Sequence, residues 1–76
     1  MRYLIAGAGV LGCYTAWRMQ EKGFDVTLLA RGEKLERFRR DGISLRDYIS
    51  DEERTVEVPL VGPDDRERFD WVLVFV

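Results

Sequence analysis

Gly7, Gly9 and Gly12 stand between an apolar run and a helix-patterned run, and this spacing constrains the chain more than any other feature. Tyr3-Leu4-Ile5-Ala6 is short, apolar and stopped by Gly7, as expected of a strand entering a tight turn. From Val10 to Lys22 the pattern is helical, with Val10, Leu11, Tyr14, Trp17 and Met19 apolar and Gly23 placed to end it. In a strand–turn–helix unit the three glycines have separate tasks. The first permits the sharp turn, the second lets backbone approach a pyrophosphate, and the third lets helix and strand pack closely. The helix that opens there directs unpaired N–H groups and the positive end of its dipole at the same phosphate. The residues expected to contact a dinucleotide are therefore Gly7, Ala8, Gly9, Val10, Leu11 and Gly12.

A second apolar run, Val26 to Ala30, follows Asp25 and has the composition of a parallel strand covered on both faces. Glu33 to Asp41 is helical in pattern, with Leu35 and Phe38 on one face and Gly42 as its terminator. The period then becomes two. Ile43 and Leu45 alternate with Ser44 and Arg46, and Val56, Val58 and Leu60 alternate with Glu57 and Pro59. The polar stretch 50–53 lies between, so a hairpin or two meander strands are expected. Pro63 is placed to open a short helical turn through Arg68, with Asp64 and Asp65 favouring its N-terminus rather than binding a metal. Trp71 to Val76 is six apolar residues without a break, the composition of a buried strand. The order β-α-β-α-β-β-β predicts an α/β fold, a Rossmann-like partial domain over residues 1–76 with parallel strands and flanking helices. Tyr14 and Trp17 are expected to pack against the sheet.

The residue after the second strand selects the nucleotide. An acid there accepts from a ribose 2′-hydroxyl and would repel a 2′-phosphate. This chain has Arg31, whose guanidinium can pair with a 2′-phosphate through two parallel hydrogen bonds. Arg31 is the expected ligand, with Lys34 in support, and the cofactor is NADP(H). Glu33 turned inward to a ribose hydroxyl would favour NAD instead, but it lies one turn into the next helix. Glu33, Glu36 and Asp41 interleave with the arginines of 31–40, and the net charge is −2, so neither nucleic acid nor an anionic membrane is an expected partner. Cys13 is the only cysteine and histidine is absent. A reducing, cytoplasmic compartment is expected, no metal site is expected, and Cys13 reads as a small packed residue. No apolar run approaches the ~20 residues a membrane span needs.

Taken in order, these segments resemble the N-terminal domain of the ketopantoate reductase (2-dehydropantoate 2-reductase) family. The likeness is carried by residues 3–12, by Asp25-Val26-Thr27-Leu28-Leu29-Ala30-Arg31-Gly32, by Leu35-Glu36 and Gly42-Ile43, by Val56 and Val58, and by Phe69-Asp70-Trp71-Val72-Leu73-Val74. The resemblance implies an oxidoreductase of pantothenate biosynthesis that transfers hydride from NADPH. It implies pyrophosphate binding at Gly7, Gly9 and Gly12 and preference for NADP(H) through Arg31. Family members continue past the strand equivalent to Trp71–Val76, with a lysine directly after it, and carry their catalytic lysine and substrate residues in the continuation. No catalytic residue is assigned here, and the chain is expected to be a truncated, inactive nucleotide-binding portion. Two alternatives remain: a non-catalytic nucleotide-binding or regulatory module, and a dimeric remnant that binds no nucleotide. An edge strand at 71–76 without neighbours invites another chain, so a homodimer through that strand is expected.

Overall fold

A computed structural model of the protein describes residues 1–47 and 50–75. Its elements are β1 (Arg2–Ala6), α1 (Val10–Glu21), β2 (Asp25–Leu29), α2 (Gly32–Asp41), β3 (Ile43–Asp47), β4 (Glu52–Val56), β5 (Leu60–Val61) and β6 (Trp71–Val74). A strand that leads into a helix and back returns parallel to itself. Accordingly β1 and β2 pair in parallel from Arg2↔Asp25 to Ala6↔Leu29. β5 joins the far edge of β2 through Leu28↔Leu60 and Leu29↔Val61, and β6 joins the free edge of β1 from Tyr3↔Trp71 to Ala6↔Val74. The sheet order is β5-β2-β1-β6, with the antiparallel hairpin β3-β4 beside it. The chain thus steps outward from β1 and then returns to its other side. The crevice at the carboxyl ends of the strands beside that reversal is where open α/β sheets bind ligands.

The core forms on the sheet face that carries Tyr3, Ile5, Val26 and Leu28, where Ile5, Val26 and Leu28 are fully buried. α1 turns Gly12, Cys13 and Ala16 toward this face, small residues that let helix and sheet approach closely. Ile43 and Leu45 of the hairpin, with Val58, complete the cluster. Residues 67–70 run beside the start of β1. The Arg2 side chain, which alternates with Tyr3, holds this segment there. Its guanidinium lies 4.7 Å from the Phe69 ring centre, donates to the Arg68 carbonyl at 2.8 Å and pairs with Glu67 at 3.2 Å. The backbone N–H of Arg2 donates to Asp70 Oδ2 at 2.7 Å, and Asp70 N–H donates back to the Arg2 carbonyl at 2.8 Å.

Four expectations are corrected. Residues 63–68 form a turn and open chain, not a helical turn. The Asp65 carboxylate accepts from Gly62 N–H at 2.6 Å while Asp65 N–H donates to the Gly62 carbonyl at 3.2 Å, a local closure that competes with helix formation. Nor is the run 56–60 one hairpin strand. β4 ends at Val56, and Leu60–Val61 belongs to the parallel sheet. Pro59 has no N–H to extend a ladder, and its carbonyl accepts from Leu28 N–H at 2.8 Å, which docks the chain on β2. The polar stretch 50–53 is not all connection either, because Glu52 and Glu53 are already in β4.

Third, the strand expected at 71–76 spans Trp71–Val74 and is exposed along its length, with Trp71 at 56% and Val74 at 68%; Val76 lies outside the described residues. The layer on the core face is built over β1 and β2, and among the described residues no strand lies beyond β6. The total surface of 5693 Å² exceeds the about 4,800 Å² of a closed monomer of this mass, consistent with an open flank. Finally, Tyr14 is 48% exposed rather than packed on the sheet, because a helix that aims Cys13 and Ala16 inward carries residue 14 around toward solvent. Trp17 does pack against the core, and Tyr14 meets it edge-on at 5.9 Å.

Candidate functional site

The three glycines have three different surroundings. Gly7 has φ +126°, a conformation that side chains rarely adopt, and a Cβ there would collide with the Phe75 carbonyl oxygen. Phe75 is fixed in that position by its own N–H, which donates to the Ala6 carbonyl at 2.8 Å. A Cβ at Gly12 would overlap the Gly7 carbonyl oxygen and reach Ile5 Cγ2 at 3.6 Å, so close approach of α1 to β1 requires glycine. Gly9 differs. Its φ of −77° and ψ of −173° suit any residue, and a Cβ there meets no atom within 4 Å. No internal contact demands a glycine at position 9, which leaves the space in front of it open.

That space adjoins the start of α1. Gly9 is the N-cap, no side chain caps the helix, and its first turn contains no acidic residue. The opening N–H groups of α1 are therefore not served by a side chain of the protein, and the helix dipole adds to their attraction for an anion.

Beside the turn, a cleft of about 540 Å³ opens at the carboxyl ends of β1 and β2. Ala6, Gly7 and Ala8 form one wall, Leu29, Ala30 and Arg31 the other, and Lys34 and Pro63 close the mouth. Arg31 has extended backbone immediately before α2, is exposed, and makes no side-chain hydrogen bond or ion pair among the described residues. Lys34 reaches across from α2 so that Nζ donates to the Ala8 carbonyl at 3.1 Å. The cleft lining thus has two cations and no carboxylate; Glu33 is not part of it. Gly9, Val10 and Leu11 border a neighbouring cavity of about 770 Å³ on the other side of the turn, again reached by Lys34, and Gly12 is buried beneath. Val10 and Leu11 are exposed, at 74% and 64%.

Two participants escape sequence reasoning. Pro63 lies at the cleft mouth because residue 62 follows β5, whose carboxyl end is aligned with that of β2. The contact between Lys34 and Ala8 joins residues 26 positions apart, a pairing no local pattern encodes. Cys13 Sγ also lies 3.4 Å from the Ala8 carbonyl oxygen, which therefore has two donors. Burial pushes the Cys13 thiol above its ordinary pKa, and the nearby Lys34 charge partly opposes the shift. Among the described residues no group of side chains is arranged to hold a metal ion, and no helix is long and apolar enough to cross a membrane.

The model of the family described as ketopantoate reductase PanE/ApbA matches residues 3–76. The chain belongs to that family. An uncharacterised oxidoreductase of Bacillus subtilis, YkpB, is 33% identical over 97% of this chain and 24% of its own length. A crystal structure from Enterococcus faecalis, described as a 2-dehydropantoate 2-reductase, is 27% identical and superposes with a TM-score of 0.79 over 100% of this chain and 25% of its own. A D-mandelate dehydrogenase solved with NADH and anilino(oxo)acetate shares the fold at a TM-score of 0.81 and 22% identity, over 99% of this chain and 24% of that one. The chain therefore spans about a quarter of the length of the relatives it matches.

Proposed function

We propose that these residues form the NADP(H)-binding portion of a ketopantoate reductase-like oxidoreductase, acting in pantothenate biosynthesis in the cytoplasm. The observation that carries this reading is the open space at Gly9, a glycine that neither backbone angles nor internal contacts require. A pyrophosphate fits there, against the uncapped start of α1, and an adenosine fits the cleft of about 540 Å³. Gly7, Ala8, Gly9, Val10, Leu11 and Gly12 shape the phosphate turn, and Arg31 takes the 2′-phosphate. Bound NADPH supplies a hydride for reduction of the 2-keto group; the residues here hold and orient the nucleotide. Proton donation and substrate binding are assigned to no residue of these 76.

Titration with NADPH and NADH tests this. A hydrogen bond to a charged group contributes about 1.5–3 kcal/mol, so Arg31→Gln should weaken NADPH by about 10- to 100-fold and leave NADH unchanged. Equal wild-type affinity for the two nucleotides would refute the role of Arg31.

The exposure of Trp71–Val74 supports a second assignment, a homodimer in which the free edges of two β6 strands pair. Sedimentation should then show a dimer that Val72→Lys dissociates. A wild-type monomer at micromolar concentration would rule it out, leaving the nucleotide reading untouched.

A further inference from the structure

We propose that Lys34 is a ligand of the nucleotide diphosphate, held in this structure on the Ala8 carbonyl of the glycine turn. The proposal rests on the nucleotide reading of the cleft and divides the work of its two cations. Arg31, the extended N-cap residue of α2, and Lys34, in the helix's first turn, both line the cleft. They reach different places. Arg31 sits at the end of β2, on the cleft wall, where a ribose 2′-substituent is read. Lys34 extends to the turn itself, 3.1 Å from the carbonyl of the residue preceding Gly9. It borders both the cleft and the cavity on the other side of the turn. Its ammonium is therefore beside the open space at Gly9 and the uncapped N–H groups of α1, which attract the same anion.

The present partner of Lys34 is one that can be given up. A lysine carries three donors, and only one is used here, on a neutral carbonyl; no carboxylate pairs with it among the described residues. When Lys34 moves to a phosphate oxygen, the Ala8 carbonyl keeps its second donor, the Cys13 thiol at 3.4 Å. The exchange replaces a bond to a neutral oxygen by a shorter, stronger one to an anion, without leaving an unsatisfied group behind. The diphosphate is common to NADPH, NADH and ADP, so Lys34 contributes affinity to all three, whereas Arg31 discriminates among them.

The experiment is a calorimetric titration of wild-type, Lys34→Gln, Lys34→Arg and Arg31→Gln proteins with NADPH, NADH and ADP, each protein first shown to melt as wild type does. Lys34→Gln should weaken all three ligands by about tenfold, the scale of one charge-assisted hydrogen bond, and Lys34→Arg should restore most of the loss. Arg31→Gln should weaken NADPH alone. The proposal is overturned if Lys34→Gln binds all three as wild type does. It is equally overturned if that variant loses NADPH only, which would place Lys34 on the 2′-phosphate. A wild-type protein that binds none of the three removes the nucleotide reading and this proposal with it.

Discussion

Substituting alanine separately at Gly9 and Gly12 should divide one motif into a binding element and a folding element. At Gly12 the new methyl overlaps the Gly7 carbonyl oxygen. That oxygen cannot move freely, since Gly7 lies close beside Phe75, whose N–H donates to the Ala6 carbonyl at 2.8 Å. Overpacking against backbone costs about 1–3 kcal/mol or more, and here the upper half applies because no side chain can rotate away. Alanine recovers up to about 1 kcal/mol of helix propensity, leaving a net loss of about 2 kcal/mol. For 76 residues the whole stability is about 4–11 kcal/mol, and 1 kcal/mol moves Tm by about 4–8 °C in a domain of this size, so Gly12→Ala should melt about 10 °C early.

At Gly9 the methyl meets no atom within 4 Å and the backbone angles accept it. Restricting the unfolded chain favours alanine by about 0.4–1 kcal/mol, while the N-cap preference for glycine over alanine opposes it by a similar amount. Stability should therefore stay within about 1 kcal/mol of wild type. The methyl now stands where a phosphate oxygen would lie, so NADPH affinity should fall by at least about tenfold. Thermal melts and NADPH titrations on the same two variants read both quantities. Wild-type affinity in Gly9→Ala would refute the assignment of that space to a ligand. A wild-type melt for Gly12→Ala would refute the steric argument for close helix–strand packing.

Other perturbations probe the scaffold. Leu28 is fully buried at the centre of the sheet, and Leu28→Ala should cost about 2–5 kcal/mol, read as a fall in the urea midpoint; a loss under about 1 kcal/mol would contradict its close packing. Asp65→Ala removes the acceptor of the Gly62 N–H and the partner of Arg39, and should lower stability by about 1–2 kcal/mol with an unchanged m-value. The raised thiol pKa of Cys13 has a definite pH signature. The unfolded thiol ionises near its ordinary value of 9.0 while the folded thiol remains neutral, so this contribution is complete below pH 9 and is lost as pH rises toward the folded value. Cys13→Ala should abolish that part of the alkaline decline, measured as the difference between the two proteins' urea stabilities from pH 7 to pH 10. Identical pH slopes would contradict the burial of the thiol.

The parts legible in the sequence are those set by neighbouring residues. The strand–glycine–helix unit at 2–21 and the second strand and helix at 25–41 are written in local periods and terminators, and parallel pairing follows from their alternation. The misread segments depend on distant partners. Val56 to Leu60 alternates like one strand, but Leu28 captures the Pro59 carbonyl and divides it. Asp64-Asp65 has the composition of a helix start, but the Asp65 side chain closes on Gly62 and pairs with Arg39. Trp71–Val74 has core composition because apolar content records what a strand can bury, and its exposure depends on which elements lie beside it.

The glycine turn shows where this boundary falls within a single motif. The sequence assigns Gly7 to the turn, Gly9 to approach of a pyrophosphate and Gly12 to close packing, all from spacing alone. In the structure, two are required by the protein itself: Gly7 by a positive φ and the Phe75 carbonyl, Gly12 by the Gly7 carbonyl. A chain that bound nothing would still need both in order to fold. Only Gly9 lacks an internal reason, and only Gly9 therefore bears on whether a ligand is bound. The same distinction applies to the cations. Arg2 is accounted for by Glu67, Arg68 and Phe69, and Arg39 by Asp65, so their charges stabilise the fold. Arg31 has no such partner among the described residues, and Lys34 has one it can exchange. Gly9, Arg31 and Lys34 lie together at one end of the sheet, and that convergence, rather than the motif by itself, is what supports the proposed nucleotide site.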